Sequence, residues 1–105
     1  TVINATIANN KATIGGAIFI DKFSTSECNI KFQNVVFKEN EASGYNDHAG
    51  GAIYAQAVGG QILIDNCSFI SNSVSKNFAG GAIYALQLID GIKITNSRFV
   101  NNSAN

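Results

Sequence analysis

One short motif occurs three times in this chain of 105 residues and limits what the chain can fold into. It combines two glycines, a small residue, an isoleucine and an aromatic residue, at positions 15–19, 50–54 and 80–84. Paired glycines permit a turn and a close backbone approach because they lack a Cβ atom. The Ala-Ile-aromatic part is typical of a short strand. The motif therefore predicts a turn and a strand that recur along the chain.

A second motif, Phe-x-x-Asn, alternates with the first. It occurs at 37–40, 69–72 and 99–102, and residues 7–10 are a variant with Ile in place of Phe. Another asparagine stands three residues before each copy, and these asparagines are 30, 32 and 30 residues apart: Asn4, Asn34, Asn66 and Asn96. A spacing of this size is typical of a solenoid, in which each repeat stacks on its neighbours.

The segments that precede these asparagines alternate between apolar and polar residues, as in 30–34 and 92–96, whereas Leu63 interrupts the alternation in 62–66. Alternation with period two indicates strands with one buried face. We expect each strand to pair in parallel with the equivalent strand of the next repeat, about 4.8 Å away. The prediction is an all-β fold, a right-handed single-stranded parallel β-helix (β-solenoid) of about three and a half coils of 30–32 residues.

The chain is predicted to be a single segment, 1–105, with repeats at approximately 1–28, 29–60, 61–91 and 92–105. Stacked repeats place equivalent side chains above one another, which predicts four ladders along the axis. The aromatic ladder is Phe37, Phe69 and Phe99, and the aliphatic ladder is Ile18, Ile53 and Ile83. The two asparagine ladders are Asn34, Asn66 and Asn96 at one corner, and Asn40, Asn72 and Asn102 at a second. Alternation also predicts an outer aromatic stack of Phe19, Tyr54 and Tyr84.

The alternating motifs resemble the repeat of the chlamydial polymorphic membrane proteins (Pmp). Residues 15–18, 50–53 and 80–83 carry Gly-Gly-Ala-Ile, and residues 37–40, 69–72 and 99–102 carry Phe-x-x-Asn, so the resemblance covers nearly the whole chain. It implies a β-helical passenger that is displayed on the cell surface and has a role in adhesion. Similar repeats occur in predicted surface proteins of protists and algae, so the resemblance implies a surface solenoid more firmly than an organism.

Composition excludes several classes of partner. Seven basic and seven acidic residues give a formal net charge of zero, which provides no basic surface for nucleic acid. No apolar run approaches the roughly 18 residues of a membrane span, so direct membrane insertion is not expected. Cys28 and Cys67 occupy different positions of the repeat. Two such cysteines do not make a disulfide framework or a zinc site, and Cys67 is expected to be a core thiol.

The segments between the Phe-x-x-Asn motif and the next glycine pair have four, nine and seven residues (11–14, 41–49 and 73–79). Long loops at one edge of a solenoid often carry binding, so Tyr45, Asp47 and His48 form a candidate binding loop. The Asp47-His48 pair lacks a nucleophile and further ligands. No two acidic residues align at one outward position in neighbouring coils. We therefore predict no catalytic residues, no metal site and no cofactor.

Three Asn-x-Ser/Thr sequons are candidate N-glycosylation sites, at Asn4, Asn66 and Asn101. Asn4 and Asn66 align with the corner ladder, where an inward amide could not accept a glycan. Asn101 lies off both ladders and is the best candidate.

The sequence thus predicts a non-enzymatic extracellular or cell-surface β-solenoid that acts as a structural stalk, filament unit or adhesin segment. Its expected partners are further coils of the same solenoid or identical subunits stacked end to end, because open coil edges recruit another strand layer. Two alternatives stay open. The first is an autotransporter passenger whose loops bind a receptor or a glycan, and the second is a fragment of a β-helix enzyme that acts on polysaccharides.

Overall fold

A computed structural model describes residues 1–21, 29–43, 48–56, 58–75 and 80–104, and in these ranges the chain is all β, without a helix. Thirteen strands follow one another along the chain: β1 (Val2–Ala8), β2 (Lys11–Ala12), β3 (Ile18–Asp21), β4 (Ile30–Lys38), β5 (Glu41–Ala42), β6 (Ile53–Gln56), β7 (Ile62–Asp65), β8 (Ser68–Ile70), β9 (Ser73–Val74), β10 (Ile83–Leu86), β11 (Ile92–Thr95), β12 (Arg98–Val100) and β13 (Ser103–Ala104).

The strands form three sheets in which every pairing is parallel, and each pairing joins equivalent segments of successive repeats. In the largest sheet β4 lies beside β1 on one side and beside β7 and β8 on the other. Strand β7 then pairs with β11, and β8 pairs with β12. The second sheet has the order β2, β5, β9, β13, and the third has the order β3, β6, β10. Equivalent strands of successive repeats therefore lie side by side as the rungs of each sheet.

The pairing register follows the sequence repeat. In the largest sheet Val2 pairs with Phe32 and Ile30 pairs with Ile62, which are offsets of one repeat. In the third sheet Ile18, Ile53 and Ile83 pair across three rungs, although the loop of the second repeat is longer than that of the first. Loop length therefore changes without shifting the register, since the inward pattern of each strand fixes its face.

Left-handed backbone conformations make the bends between the strands. Asn4, Asn34, Asn66 and Asn96 have φ between 50° and 55°, and Asn66 and Asn96 separate β7 from β8 and β11 from β12. Asparagine tolerates this conformation better than most residues because its short polar side chain bonds locally. A second bend lies two residues after the first residue of each Phe-x-x-Asn motif or its Ile variant, at Asn9, Glu39, Ser71 and Asn101, with φ between 54° and 59°.

The second glycine of each pair lies where the backbones of adjacent repeats meet. A Cβ atom built on Gly16 would lie 1.9 Å from the carbonyl oxygen of Gly51, and one on Gly51 would lie 1.9 Å from that of Gly81. Real Cβ atoms do not approach that closely. The glycine pair is therefore required by the contact between repeats as well as by the turn.

The core lies between the sheets and is richest in the second and third repeats. Fully buried large side chains include Phe37, Phe69, Ile53, Ile62 and Ile64. Large apolar side chains of the outermost rungs are partly exposed: Ile3, Phe19, Ile94 and Phe99. The predicted all-β class and the parallel pairing of equivalent strands are confirmed. None of the three sheets closes on itself within the described residues.

Candidate functional site

The inward face of the largest sheet carries a continuous stack of phenylalanine rings. The ring centroids of Phe37 and Phe69 are 4.7 Å apart with planes 9° from parallel, and those of Phe69 and Phe99 are 4.7 Å apart at 3°. Ile7 pairs with Phe37 and occupies the first rung of this column. Phe32 packs edge-on against Phe37 at 5.5 Å. The rings stack because the strands that carry them pair in register, one rung apart.

A second aromatic column lies on the third sheet, next to the Ile18, Ile53 and Ile83 column. Phe19 stacks on Tyr54 at 5.3 Å and 5°, and Tyr54 stacks on Tyr84 at 5.5 Å and 2°. Tyr54 is only 3% exposed, whereas Phe19 is 52% exposed. The Tyr54 hydroxyl donates a hydrogen bond to Oε1 of Gln56. Burial, with the nearby charge of Asp21, raises the pKa of Tyr54 above 10.0, so its hydroxyl stays protonated at neutral pH.

The inward asparagines form a directional chain of hydrogen bonds. The backbone N–H and the side-chain amide of Asn40 both donate to Oδ1 of Asn72, at 3.1 and 2.9 Å. Asn72 donates in the same way to Oδ1 of Asn102, at 2.9 Å for both bonds. Each side chain also donates back to the repeat before it, as Asn72 does to the carbonyl of Phe37 at 3.0 Å. Asn40 and Asn72 are completely buried, so these bonds satisfy amides that have no access to water.

The corner asparagines behave differently, because their side chains are exposed. The side-chain amide of Asn34 donates to Oδ1 of Asn4 at 2.7 Å, and that of Asn66 reaches Oδ1 of Asn34 at 3.5 Å. Asn96 instead donates to Asp65 Oδ1 at 3.2 Å. The expectation that the Asn4 and Asn66 amides point inward is therefore wrong. The left-handed backbone at this corner turns the side chain outward, which alternation alone does not predict.

This correction changes the comparison between the three sequons. Asn4, Asn66 and Asn101 are all exposed, so burial does not distinguish Asn101 from the other two as a glycan acceptor. Glycosylation at these positions stays a prediction.

The candidate binding loop is described only in part. Tyr45 and Asp47 lie outside the described residues, as does Cys28. His48 is half-buried, its Nδ1 lies 2.9 Å from the hydroxyl oxygen of Tyr84, and the two rings are tilted at 5.5 Å. Because Tyr84 belongs to the next repeat, His48 ties the loop of one repeat to the outer aromatic column of another.

Cys67 is 1% exposed and lies under the largest sheet. Its backbone N–H donates to Ser97 Oγ at 3.1 Å, and its thiol lies 3.3 Å from the carbonyl oxygen of Asp65. Burial raises the pKa of the Cys67 thiol above 9.0, so this thiol is neutral and poorly nucleophilic.

Sequence reasoning missed a depression on the outward face of the largest sheet. Its volume is about 230 Å³, and it is lined by Lys31, Leu63, Ile64, Asp65, Lys93 and Thr95. Lys31 and Lys93 each pair with Leu63, so the leucine lies between two lysines in one column. The signal in the sequence was Leu63 itself, an apolar residue at an outward position of an otherwise alternating strand.

Asp65 is the carboxylate of this depression. Thr95 Oγ1 and the Asn96 amide both donate to its Oδ1, at 2.8 and 3.2 Å. The bond from Thr95, followed by that from Asn96, lowers the pKa of Asp65 below 3.8, and the charge of Lys31 acts in the same direction. The carboxylate is therefore ionised at neutral pH and held in one orientation.

The described residues do not bring three or more His, Cys, Asp or Glu side chains together in a metal-binding arrangement. Across the same ranges no helix has the length and apolarity needed to cross a bilayer.

A protein-family model matches the second repeat of the chain. Residues 34–56 match the Chlamydia polymorphic membrane protein (Chlamydia_PMP) repeat. The segment contains one Phe-x-x-Asn motif and the following Gly-Gly-Ala-Ile motif, so the resemblance to Pmp repeats drawn from these motifs is confirmed there. In the structure it runs from the corner at Asn34 to the end of β6 at Gln56. No curated protein and no solved structure gives a significant match.

Proposed function

We propose that the chain is a right-handed, single-stranded parallel β-helix that serves as a non-enzymatic structural segment at the cell surface, either as a stalk or as a unit of a filament. One observation carries the proposal: equivalent positions of successive repeats lie above one another in all three sheets. A chain that visits three parallel sheets in the same order in every repeat winds as a coil, and the crossover preference gives the right hand.

The stacked contacts support a mechanical role. Along the axis the repeats are joined by backbone hydrogen bonds, by stacked Phe37 and Phe69 rings and by the Asn40–Asn72 amide bonds. Each of these contacts joins a repeat only to its neighbours, so the repeats extend one another as a rod. Bending such a rod would pull paired strands apart, so the hydrogen bonds between the strands resist bending.

The surface location is supported by the matched repeat, which is named for membrane proteins of Chlamydia. The non-enzymatic role is supported by the contacts of three described carboxylates, those of Asp65, Glu41 and Glu39. Asp65 accepts hydrogen bonds from Thr95 and Asn96. Glu41 pairs with Lys11 at 3.0 Å, and Glu39 lies 3.9 Å from Lys38. These three acids thus contact neighbouring polar or basic side chains and do not contact one another.

Sedimentation and electron microscopy of the purified 105-residue chain test the structural role. Fibres that lengthen with protein concentration would support a filament unit, and an unfolded or aggregated product would support a segment of a longer solenoid. A folded monomer that stays monomeric at high concentration would contradict the filament unit and leave the stalk as the structural role. Digestion of intact cells of the source organism by added protease tests the location. We expect cleavage before lysis, and protection until lysis would contradict it.

A second candidate, an adhesin segment, is favoured by the loop that ends at His48. The contact of His48 with Tyr84 joins residue 48 of the nine-residue segment 41–49 to the next repeat, and long segments of this kind often carry binding. Replacement of residues 41–49 by the four residues 11–14 shortens the loop to the length of the first repeat. We expect this variant to lose binding to host cells while its β-sheet circular dichroism is kept. Unchanged binding would contradict the adhesin role.

A further inference from the structure

The depression around Leu63 combines charged, polar and apolar side chains, as a binding site does. The inward packing of the fold does not require this combination. Leu63 faces outward and contributes nothing to the inward ladders, and Lys31 and Lys93 lie in register on either side of it. With one rung at about 4.8 Å, the Cα atoms of the two lysines are about 10 Å apart. Flexible lysine side chains at that separation can approach one small group from two sides.

The carboxylate of Asp65 is prepared to accept one more hydrogen bond. Both of its side-chain donors, Thr95 and Asn96, use Oδ1. Among the described residues no side chain donates to Oδ2, and the Asn66 backbone N–H, which also helps to lower the pKa of this carboxyl, donates to the Thr95 carbonyl. A carboxylate held on one side and open on the other favours a ligand that brings a hydroxyl or N–H donor.

The charges and the size of the depression further restrict the class of ligand that it can bind. Two ammonium groups against one carboxylate leave an excess of one positive charge, which favours an anion. Inorganic phosphate alone would be repelled by Asp65 and would leave Leu63 uncovered. The volume of about 230 Å³ is below the range of roughly 300–1,000 Å³ of pockets for drug-sized ligands, so it suits a single ring.

We propose that this depression binds an acidic sugar residue, with its carboxylate or sulfate held by Lys31 and Lys93, its ring over Leu63 and a ring hydroxyl donating to Asp65 Oδ2. The three contacts are those a hexuronate or a sulfated hexosamine offers together: an anionic group, an apolar ring face and hydroxyl donors. The proposal requires only that this face is exposed, as in the surface role proposed above, and it does not require filament formation.

Titration of the ¹⁵N-labelled 105-residue chain, followed by NMR, tests the site with defined probes. The probes are glucuronic acid, N-acetylglucosamine 6-sulfate, their neutral counterparts glucose and N-acetylglucosamine, inorganic phosphate and a glutamate-rich peptide. We expect amide shifts at Leu63, Asp65 and Thr95, and about tenfold tighter binding of an acidic sugar than of its neutral counterpart. Preference for the uronate or for the sulfate identifies the source of the anion, and either supports the site.

Matched variants distinguish binding at this site from nonspecific attraction of an anion to lysines elsewhere on the surface. The double variant K31Q/K93Q is expected to lose about tenfold in affinity for the acidic sugar, and Leu63→Ala a few-fold. Lys38→Gln removes the same kind of charge elsewhere and should change affinity less than about twofold, since exposed charges act weakly at a distance. Affinity should also fall as salt is added.

Several results would overturn the proposal. These are equal binding of phosphate or of the acidic peptide, shifts that map elsewhere, or full affinity in K31Q/K93Q. The lysine stems could instead serve only to cover Leu63. In that case K31Q/K93Q would lower the unfolding temperature and no probe would shift the Leu63, Asp65 and Thr95 amides. Absence of binding with unchanged circular dichroism refutes the sugar site and leaves the structural role standing.

Discussion

At the scale of single residues, asparagines with the same spacing have opposite roles. Asn72 is completely buried and makes hydrogen bonds to the repeats on both sides. Asn66, six residues earlier, is exposed and is held in the left-handed conformation at φ 52°. The fold therefore requires the side-chain amide at Asn72, whereas at Asn66 it requires the left-handed backbone conformation.

Two substitutions separate these roles. Asn72→Ala leaves the Phe37 carbonyl and Asn40 without their partners in the core, and we expect it to lower the free energy of unfolding by about 3 kcal/mol. Asn66→Gly keeps the backbone conformation and should cost less than about 1 kcal/mol. Urea denaturation measures both. Equal losses would contradict the distinction between inward and corner asparagines.

A second residue-scale prediction concerns pH. The pKa of Asp65 is lowered in the folded chain, first by the hydrogen bond from Thr95, so its ionised form is favoured by folding. The resulting stabilisation is present above the ordinary pKa of 3.8 and is lost as pH falls through the lower folded value. Thr95→Val should therefore raise the pKa of the Asp65 carboxyl, as measured by carbon-13 NMR titration. The same pKa in both proteins would contradict this cause.

At the scale of elements, the turns before β3, β6 and β10 depend on glycine for a reason that composition does not give. Gly51 meets the backbone of Gly81 in the next repeat, whereas Gly91 has open space around its Cβ position and only its φ of 77° requires glycine. Glycine is thus required at Gly51 by the steric contact between repeats, and at Gly91 by the left-handed backbone conformation.

Replacement of each glycine by alanine tests this separation. Gly51→Ala forces the backbones of two repeats apart, and we expect a loss of more than about 3 kcal/mol or failure to fold. Gly91→Ala should cost about 1–2 kcal/mol, from the left-handed backbone alone. Thermal unfolding compares them, and a larger loss at Gly91 would contradict the steric role of the glycine pair.

The aromatic ladder provides a graded test within equivalent strands. Phe69 is fully buried between two other rings, while Phe99 lies on the outermost rung of the largest sheet and is 46% exposed. Phe69→Ala is therefore expected to cost about 3–5 kcal/mol, and Phe99→Ala about half as much. Chemical denaturation of both variants measures the two losses of unfolding free energy. A larger loss for Phe99→Ala than for Phe69→Ala would show that the ladder is not centred on the middle repeats.

At the scale of the whole molecule, the sequence predicted the arrangement of repeats because each level of pattern agreed with the others. Period-two alternation set the inward face, the glycine pair set the turn, and the 30–32-residue spacing set which strands pair. The same reasoning placed Phe37 and Phe69 in one column. These features are properties of many residues acting together, so single departures do not disturb them.

What the sequence did not predict depends on conformation at single positions. The outward direction of Asn66 follows from a positive φ, and the bond from Thr95 to Asp65 joins residues 30 positions apart through the register. The contact of His48 with Tyr84 joins two repeats through side chains 36 positions apart. Motif spacing alone contains no information on how a loop or a bend directs one side chain.

The central claim is that equivalent residues of successive repeats lie above one another in parallel register. Three-dimensional NOESY spectra of the ¹³C,¹⁵N-labelled chain test it most directly. We predict cross-peaks that join residues one repeat apart, such as Phe37 with Phe69, Asn40 with Asn72 and Ile53 with Ile83. Hα–Hα cross-peaks between neighbouring strands of a single repeat, as antiparallel hairpins give, would contradict the account.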